Sequence, residues 1–450
     1  MAPSKTKAAL YLLLSLTLVC SSLQINKTEF PKEKVTVNTE GEKWGYVTVR
    51  PDAHMFWWLY RSTNPKGSTN VPLVLWLQGG PGGSGTGFGN FQEIGPLDVE
   101  QNPRKTTWLT EVNLLFIDNP VGTGYSYVDN DKAYTTDLQQ ISADLLSILK
   151  IVMKVNDDMS TVPFYIFSES YGGKMTAGFS QVLYKAVQSG DIKCNFKGFA
   201  MGDSWISPVD STYSWGPYLY VNSLIDRTQL AQLNKTANKI AELAASGKWV
   251  NATAEWSALE DEVEASTAGV NFYNIQQWGG SENSSQMTGR KSLSSYERAL
   301  LRHVGVLQKD DLAALMNGPI KKKLGCIPAK VMWGAQSGMV FTKQAGDFMK
   351  PVSDIVDTLI LNSSLKVVVY SGQLDLIVDN LGTEAWVYRL AIADQFSKAK
   401  KEVMELQGIP QAFVKVAKNF EYYYILAAGH MVPSDNGPAA LMMLKRIVGK

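Results

Sequence analysis

Ser170 lies in the run Ser168-Glu169-Ser170-Tyr171-Gly172, directly after the apolar stretch Phe164 to Phe167 and ahead of a helical pattern. Farther along, Asp375 follows the stretch Leu365 to Tyr370, and His430 follows Tyr422 to Leu426. A serine hydroxyl is a poor nucleophile near neutral pH, so it needs a base within hydrogen-bond reach and a third group to orient that base. The order serine, aspartate, histidine, each after its own strand, is the order used where a sharp strand-to-helix turn lifts the nucleophile above a sheet. The chemistry this implies is acyl transfer through a serine ester, with Ser170 as nucleophile, Asp375 as orienting acid and His430 as base.

Few other residues compete for these roles. The chain has three histidines, and His54 falls in an early hairpin while His303 falls in a helical region between two stretches of sheet. Asp379 shares the loop with Asp375 but lies farther from the strand end. A lone loop aspartate is more often merely solvated; the position of Asp375 between Ser170 and His430 argues otherwise. The nucleophile turn demands small neighbours. Gly172 supplies one, and Ser168 stands where the G-x-S-x-G pattern has its first glycine. Donors for a developing oxyanion come from the backbone N–H of Tyr171 and from the glycine-rich run Gln78 to Gly83 after the strand Leu73 to Leu77. That run lacks the lysine and hydroxyl residue that would end a phosphate loop.

The elements around these residues predict an α/β fold. Trp44 to Arg50 and Met55 to Tyr60 read as an antiparallel hairpin, and Leu73 to Leu77 and Leu114 to Ile117 as strands covered on both faces. A helix from about Asp137 to Val152 presents Ile141, Leu145, Ile148 and Leu149 on one side, a second runs from the nucleophile to Gly190, and Phe196 to Met201 is the next strand. This alternation implies a mostly parallel central sheet flanked by helices, an α/β-hydrolase fold. Residues 205–338 then read as a helical cap insertion. Within it Asp226 caps a helix that stops at Gly247, a second spans about Ala252 to Ala268, and the polar stretch Gly279 to Lys291 is an exposed loop open to proteolysis. The core therefore has two parts, 23–204 and 339–450, the latter with strands at Lys366 to Tyr370 and Tyr422 to Leu426 and a last helix over Pro438 to Val448. The aromatic runs Phe56-Trp57-Trp58 and Tyr422-Tyr423-Tyr424 sit at strand spacing and read as sheet packing.

Lysine and arginine number 43 against 42 acidic residues in 450, which gives no electrostatic footprint for nucleic acid or an anionic membrane. Peptides or small ligands are the expected partners. Lys5 and Lys7 precede the apolar run Ala8 to Cys20 and the small residues Ser21 and Ser22, the pattern of a cleaved secretory signal over 1–22. The run is too short to span a membrane. Five N-x-S/T sequons, at Asn26, Asn234, Asn251, Asn283 and Asn362, agree with a secreted or lysosomal lumenal protein. Cys20 leaves with the signal, so Cys194 and Cys326 either form one bridge or stay reduced. No histidine and cysteine cluster suggests a metal, and no cofactor is expected.

Gly79-Gly80-Pro81-Gly82, Asn119-Pro120-Val121-Gly122-Thr123-Gly124, Glu169-Ser170-Tyr171-Gly172 and Gly429-His430-Met431-Val432-Pro433, with the Asp375 loop, resemble the serine carboxypeptidases in family order from about Trp44 to the C-terminus. The resemblance implies a triad of Ser170, Asp375 and His430 and an oxyanion hole from the N–H groups of Gly80 and Tyr171. It also implies recognition of a substrate's α-carboxylate by Gln78, by the Gly79 N–H and by a hydrogen-bonded pair, Glu93 and Glu169. Two close carboxyl groups share a proton rather than both ionise, which predicts a peptidase optimum on the acidic side. Three positions depart from the family pattern. Gln78 replaces an asparagine, Gly83 replaces a cysteine and removes a family disulfide, and Ser434 to Pro438 is one residue longer.

The expected activity is release of C-terminal residues through an acyl-enzyme. An esterase or acyltransferase using the same triad, and a noncatalytic lumenal binding or stabilising protein, are the alternatives. The resemblance leaves oligomeric state open, a homodimer included, together with cleavage of the chain within the insertion near Arg290-Lys291.

Overall fold

In the computed structural model, residues 33–37, 41–278, 298, 299, 303 and 310–449 are described. The signal segment, Asn26, Asn283 and the 279–291 loop lie outside them. Twelve strands form one sheet: β1 (Glu33–Val37), β2 (Glu42–Arg50), β3 (Ala53–Tyr60), β4 (Leu73–Leu77), β5 (Asn113–Ile117), β6 (Tyr127–Val128), β7 (Pro163–Glu169), β8 (Asn195–Gly202), β9 (Lys366–Gly372), β10 (Glu402–Leu406), β11 (Ile409–Ala417) and β12 (Phe420–Ile425). Their order is β1-β2-β3-β5-β4-β7-β8-β9-β12-β11-β10, with β6 beside β3. From β5 through β12 the pairings are parallel, and antiparallel ribbons extend both edges.

Alternate residues of each strand feed two cores, one on either face. Met55, Trp57, Leu59, Leu73, Leu75, Val367 and Val369 enter one, while Phe56, Trp58, Tyr60, Val74, Trp76, Val368 and Tyr370 enter the other. A sheet covered on both faces explains why β4 and β5 are unbroken apolar runs. The helices Leu138–Val155 and Tyr171–Gln188 cover the first face through Ile141, Leu145, Ile148, Met175 and Leu183, and Gly437–Val448 covers the second through Ala440, Met443 and Leu444. Asp137 caps the first of these by accepting from the Gln140 N–H. Cys194 and Cys326 are buried in opposite cores and are not bridged to each other.

Between β8 and β9 the chain forms helices Pro208–Val221, Arg227–Ala245 and Trp249–Thr267, with shorter ones following. Asp226 closes a reciprocal capping box with Gln229 on the second. The first is tied to the loop after β9, since Trp215 Nε1 donates to the Ile377 carbonyl, Tyr218 Oη to the Gln373 carbonyl and Ser214 Oγ to Asp379. Four strands have no counterpart in the sequence reading. The short β6 pairs with β3, β1 extends one edge, and β10 and β11 extend the other through a two-residue turn in which Gln407 (φ 53°) and Gly408 (φ 77°) both adopt positive φ.

Candidate active site

Ser170 joins β7 to the helix Tyr171–Gln188 with φ 61° and ψ −129°, a conformation that costs a non-glycine residue free energy and recurs at functional turns. Its backbone is fully engaged: its N–H donates to the Gly202 carbonyl (2.9 Å), and its own carbonyl accepts from Gly173 (2.9 Å) and Trp205 (3.0 Å). Small neighbours are required by contact. A Cβ on Gly172 would sit 2.3 Å from the Leu77 carbonyl oxygen, and one on Gly79 would sit 2.5 Å from Ser170 Cβ. Ser168, where a glycine is commoner, fits because its fully buried hydroxyl donates to the Ala200 carbonyl at 3.3 Å.

Asp375 and His430 approach from the ends of β9 and β12. Asp375 Oδ2 lies 2.9 Å from His430 Nδ1, and both side chains are buried. The two loops press together where Gly372 meets Gly429, since a Cβ on Gly372 would fall 2.0 Å from the Gly429 oxygen. The His430 N–H donates to the Tyr273 carbonyl (2.7 Å), and the Tyr273 ring meets the imidazole edge to face at 5.0 Å. His430 Nε2 is buried without a hydrogen-bond partner, so its bond to Ser170 Oγ is not formed here. Such contacts often tighten only when substrate binds.

The competing residues are occupied elsewhere. Asp379 caps the helix Asn380–Val387 and accepts from Ser214 (2.7 Å), and burial pushes its carboxyl up to about 7. His54 bridges Thr48 and Asp129 on the early hairpin. His303 pairs with Glu260 (2.8 Å) and with the Tyr273 hydroxyl.

Gly80 (φ 110°) and Tyr171, the first residue of its helix, line one cavity with Ser170. The Tyr171 N–H has no carbonyl available within its own helix and is therefore a ready donor beside the nucleophile. Trp205, Trp256, Tyr273, His303, Phe348 and Ile377 complete the walls. The cavity is small, about 10 Å³. Trp256, Tyr273 and His303 come from the expected cap segment and were not picked out as site residues in the sequence, because nothing local marks a wall contributed from that far along the chain.

Behind Ser170 sits a buried acid pair. Glu93 and Glu169 are neighbours whose remaining carboxyl oxygens, both of Glu93 and Oε2 of Glu169, are buried without another partner, while Gln78 Nε2 donates to Glu169 Oε1 at 2.9 Å. Burial raises both carboxyls, Glu93 to about 7 and Glu169 well above the usual range, and in Glu169 the Glu93 charge adds to the effect. Arg104, partly buried, faces Glu93 and pulls the other way. The orientation of Gln78 follows from its other partner. Trp76 Nε1, which can only donate, contacts Gln78 Oε1 at 2.7 Å, so the amide nitrogen must face Glu169. The extra methylene relative to asparagine is thus accommodated by an indole that fixes which end of the amide points at the pair.

Among the described residues, Asp203, Asp375 and His430 are also the one acidic and imidazole cluster whose polar atoms, one from each, lie within 4.8 Å of one another. Asp375 and His430 already satisfy each other there, and no thiolate or second imidazole joins them. Of the sequons described, Asn251 and Asn362 are exposed and Asn234 is half-buried.

A serine at a strained strand-to-helix turn, with an aspartate and histidine from later strand ends of a mostly parallel sheet, defines an α/β-hydrolase. Residues 31–450 match the serine carboxypeptidase family, and the chain belongs to it. It is 53% identical over 412 residues to the retinoid-inducible serine carboxypeptidase of Mus musculus, covering 90% of this chain and 91% of that one. It is 52% identical over 418 residues to the Homo sapiens protein of the same name, with the same coverage. Serine carboxypeptidase-like 51 of Arabidopsis thaliana is 42% identical over 431 residues, 91% of this chain and 93% of its own. Among solved structures, Kex1(delta)p, a prohormone-processing carboxypeptidase from Saccharomyces cerevisiae, shares the fold with a TM-score of 0.74 at 20% identity, covering 91% of each chain.

Proposed function

We propose that this protein is a serine carboxypeptidase that removes C-terminal residues from peptides through an acyl-enzyme on Ser170. The observation that carries the reading is the buried Glu93 and Glu169 pair, held by Gln78 and adjoining the nucleophile in sequence and space. A hydrolase with no need to recognise a carboxylate gains nothing from two buried acids there. While the pair keeps one proton it donates to the substrate's terminal carboxylate, alongside the second N–H of the Gln78 amide and the Gly79 N–H.

Ser170 Oγ attacks the carbonyl of the last peptide bond as His430 Nε2 takes its proton, and Asp375 holds the imidazolium that results. The N–H groups of Gly80 and Tyr171 stabilise the oxyanion. His430 returns the proton to the departing amine, leaving an ester on Ser170. Water then adds with His430 again as base, the ester C–O bond breaks, and the proton returns to Ser170. The aromatic cavity beside Ser170 favours an apolar residue on the acyl side of the bond. Residues 205–338 act as a cap supplying much of that wall, and the chain works in a secretory or lysosomal lumen with Asn251 and Asn362 as glycan carriers. No helix among the described residues is long and apolar enough to cross a membrane.

Purified protein and a Ser170→Ala control, incubated with a peptide library and followed by mass spectrometry, test the reading. Stepwise loss of C-terminal residues by the wild type alone supports it. Serine-probe labelling without peptide release would favour an ester or acyl-transfer substrate. Neither would favour the noncatalytic role.

A further inference from the structure

Asp203 directly follows β8 with φ 42°, a left-handed backbone position uncommon outside glycine. Its N–H donates to the Tyr370 carbonyl (2.8 Å), and its Oδ1 accepts from the Gly372 N–H (2.7 Å), so both contacts fasten it to the strand that leads to Asp375. One oxygen of the Asp203 carboxyl lies within 4.8 Å of one of Asp375, and both residues are fully buried. Asp375 spends Oδ2 on His430. That leaves Asp203 Oδ2 and Asp375 Oδ1, each buried with no donor from any other described group. Two ionised carboxylates in this position would repel at low dielectric with no counter-charge, whereas one proton between them satisfies both orphan oxygens.

We propose that Asp203 is a positioning residue, held neutral, whose Oδ2–H donates to Asp375 Oδ1 and so fixes the carboxylate that orients His430. Burial, and then the adjacent Asp375 charge, push the Asp203 carboxyl well above the usual carboxylate range. The surroundings reinforce this. Facing the pair are Glu169 from β7 with Glu93 of the Gly85–Ile94 turn behind it, Asp379 from the cap of Asn380–Val387, Asp435 beside Gly429, and the phenols Tyr218, Tyr370 and Tyr422. Beyond His430 stands Tyr273, backed by His303 and Glu260. The donated proton also thins the negative charge that Asp375 presents to the imidazole.

The role rests on the triad reading, and the test separates the two. The acidic limb of kcat/KM is followed with an ester lacking a terminal carboxylate, which removes the Glu93 and Glu169 pair from the readout. Asp203→Ala leaves Asp375 with its full charge and should move the limb up by about one pH unit, roughly a tenfold loss below it. Asp203→Asn keeps an acceptor for Gly372 and a donor for Asp375, and should return the limb to its wild-type position. An Asn variant whose limb falls instead would mean that Asp203 is ionised, and an Ala variant with an unmoved limb would mean that it does not act through Asp375; either overturns the proposal. Infrared difference spectra of wild type against Asp203→Asn need no turnover and no Ala variant. Loss of a protonated-carboxyl C=O band supports the neutral acid, and loss of a carboxylate band refutes it. If the wild type neither hydrolyses ester nor takes a fluorophosphonate at Ser170, the triad reading and the catalytic part of this role fall together, while the infrared result still decides the proton.

Discussion

The shared proton of Glu93 and Glu169 makes the most specific quantitative demand on this protein. Burial raises Glu93 from 4.5 to about 7, with Glu169 raised as well. If that proton binds the substrate carboxylate, peptide kcat/KM should hold on the acidic side and through the first ionisation near 7, which leaves one proton on the pair, and then fall by about tenfold per unit once Glu169 also ionises. An ester of the same acyl group without a terminal carboxylate should not share the fall. Glu93→Gln removes one member of the pair and leaves Glu169 free to ionise against the substrate. The loss of one charge-assisted hydrogen bond, about 1.5–3 kcal/mol, corresponds to roughly a 10- to 100-fold penalty on peptide, carried mainly by KM. The assay is peptide and ester kcat/KM for both proteins from about pH 5 to about pH 9, which spans the Glu93 value and the range above it. The stability consequence has a definite sign. Because the folded protein keeps a proton that the unfolded chain releases near 4.5, this contribution is fully present below that pH and is lost as pH rises through about 7. It is visible as a melting temperature that falls across the interval. Parallel peptide and ester profiles in the wild type, or a Glu93→Gln variant whose peptide-to-ester ratio falls at the same pH as that of the wild type, would refute the reasoning.

Trp76→Phe keeps an aromatic ring in the core but removes the donor that fixes the Gln78 amide, so peptide KM should rise by about three- to tenfold with ester hydrolysis little changed, as steady-state kinetics on the two substrates would report. Lys174 is fully buried, bonded to Asp347 Oδ2 at 3.0 Å and to the carbonyls of Asp347 and Lys350, so Lys174→Met should cost about 3–5 kcal/mol in denaturant unfolding by stranding the carboxylate beside the Tyr171 hydroxyl. Ser170→Ala and Ser170→Gly should both abolish serine-probe labelling, but the glycine variant should melt higher than the alanine one because only glycine takes φ 61°, ψ −129° without strain, a difference of about 1 kcal/mol that calorimetry can resolve.

The triad segments could be picked out in the sequence because each chemical residue directly follows a strand dense in apolar residues, and strands buried on both faces announce themselves as runs. β4, β5, β7 and β9 have that character. β10 does not: Glu402, Val403, Glu405 and Leu406 are all exposed, so neither an apolar run nor a clean alternation marks it as a strand. Its remaining signal was the Gln407-Gly408 turn, weaker than an Asn-Gly pair. The aromatic wall was hidden for another reason. Trp256 and Tyr273 follow β8 by more than fifty residues along the helical stretch, and no periodicity says which helix face will turn toward a serine fixed on the sheet.

Asp203 marks the sharper limit of such reading. Its sequence context, an acid after a strand and a glycine, is the same kind of context that singled out Asp375, and on type and position alone either could orient a histidine. The difference is geometric: Asp375 Oδ2 reaches His430, whereas Asp203 is turned by its φ of 42° so that Oδ1 meets the Gly372 N–H. Two acids delivered by adjacent parallel strands to one buried point must then divide their protonation states between them, and adjacency in the sheet order becomes the property that matters. β8 and β9 are neighbours although more than 160 residues separate them along the chain. A change of charge at Asp203 therefore acts on His430 through Asp375.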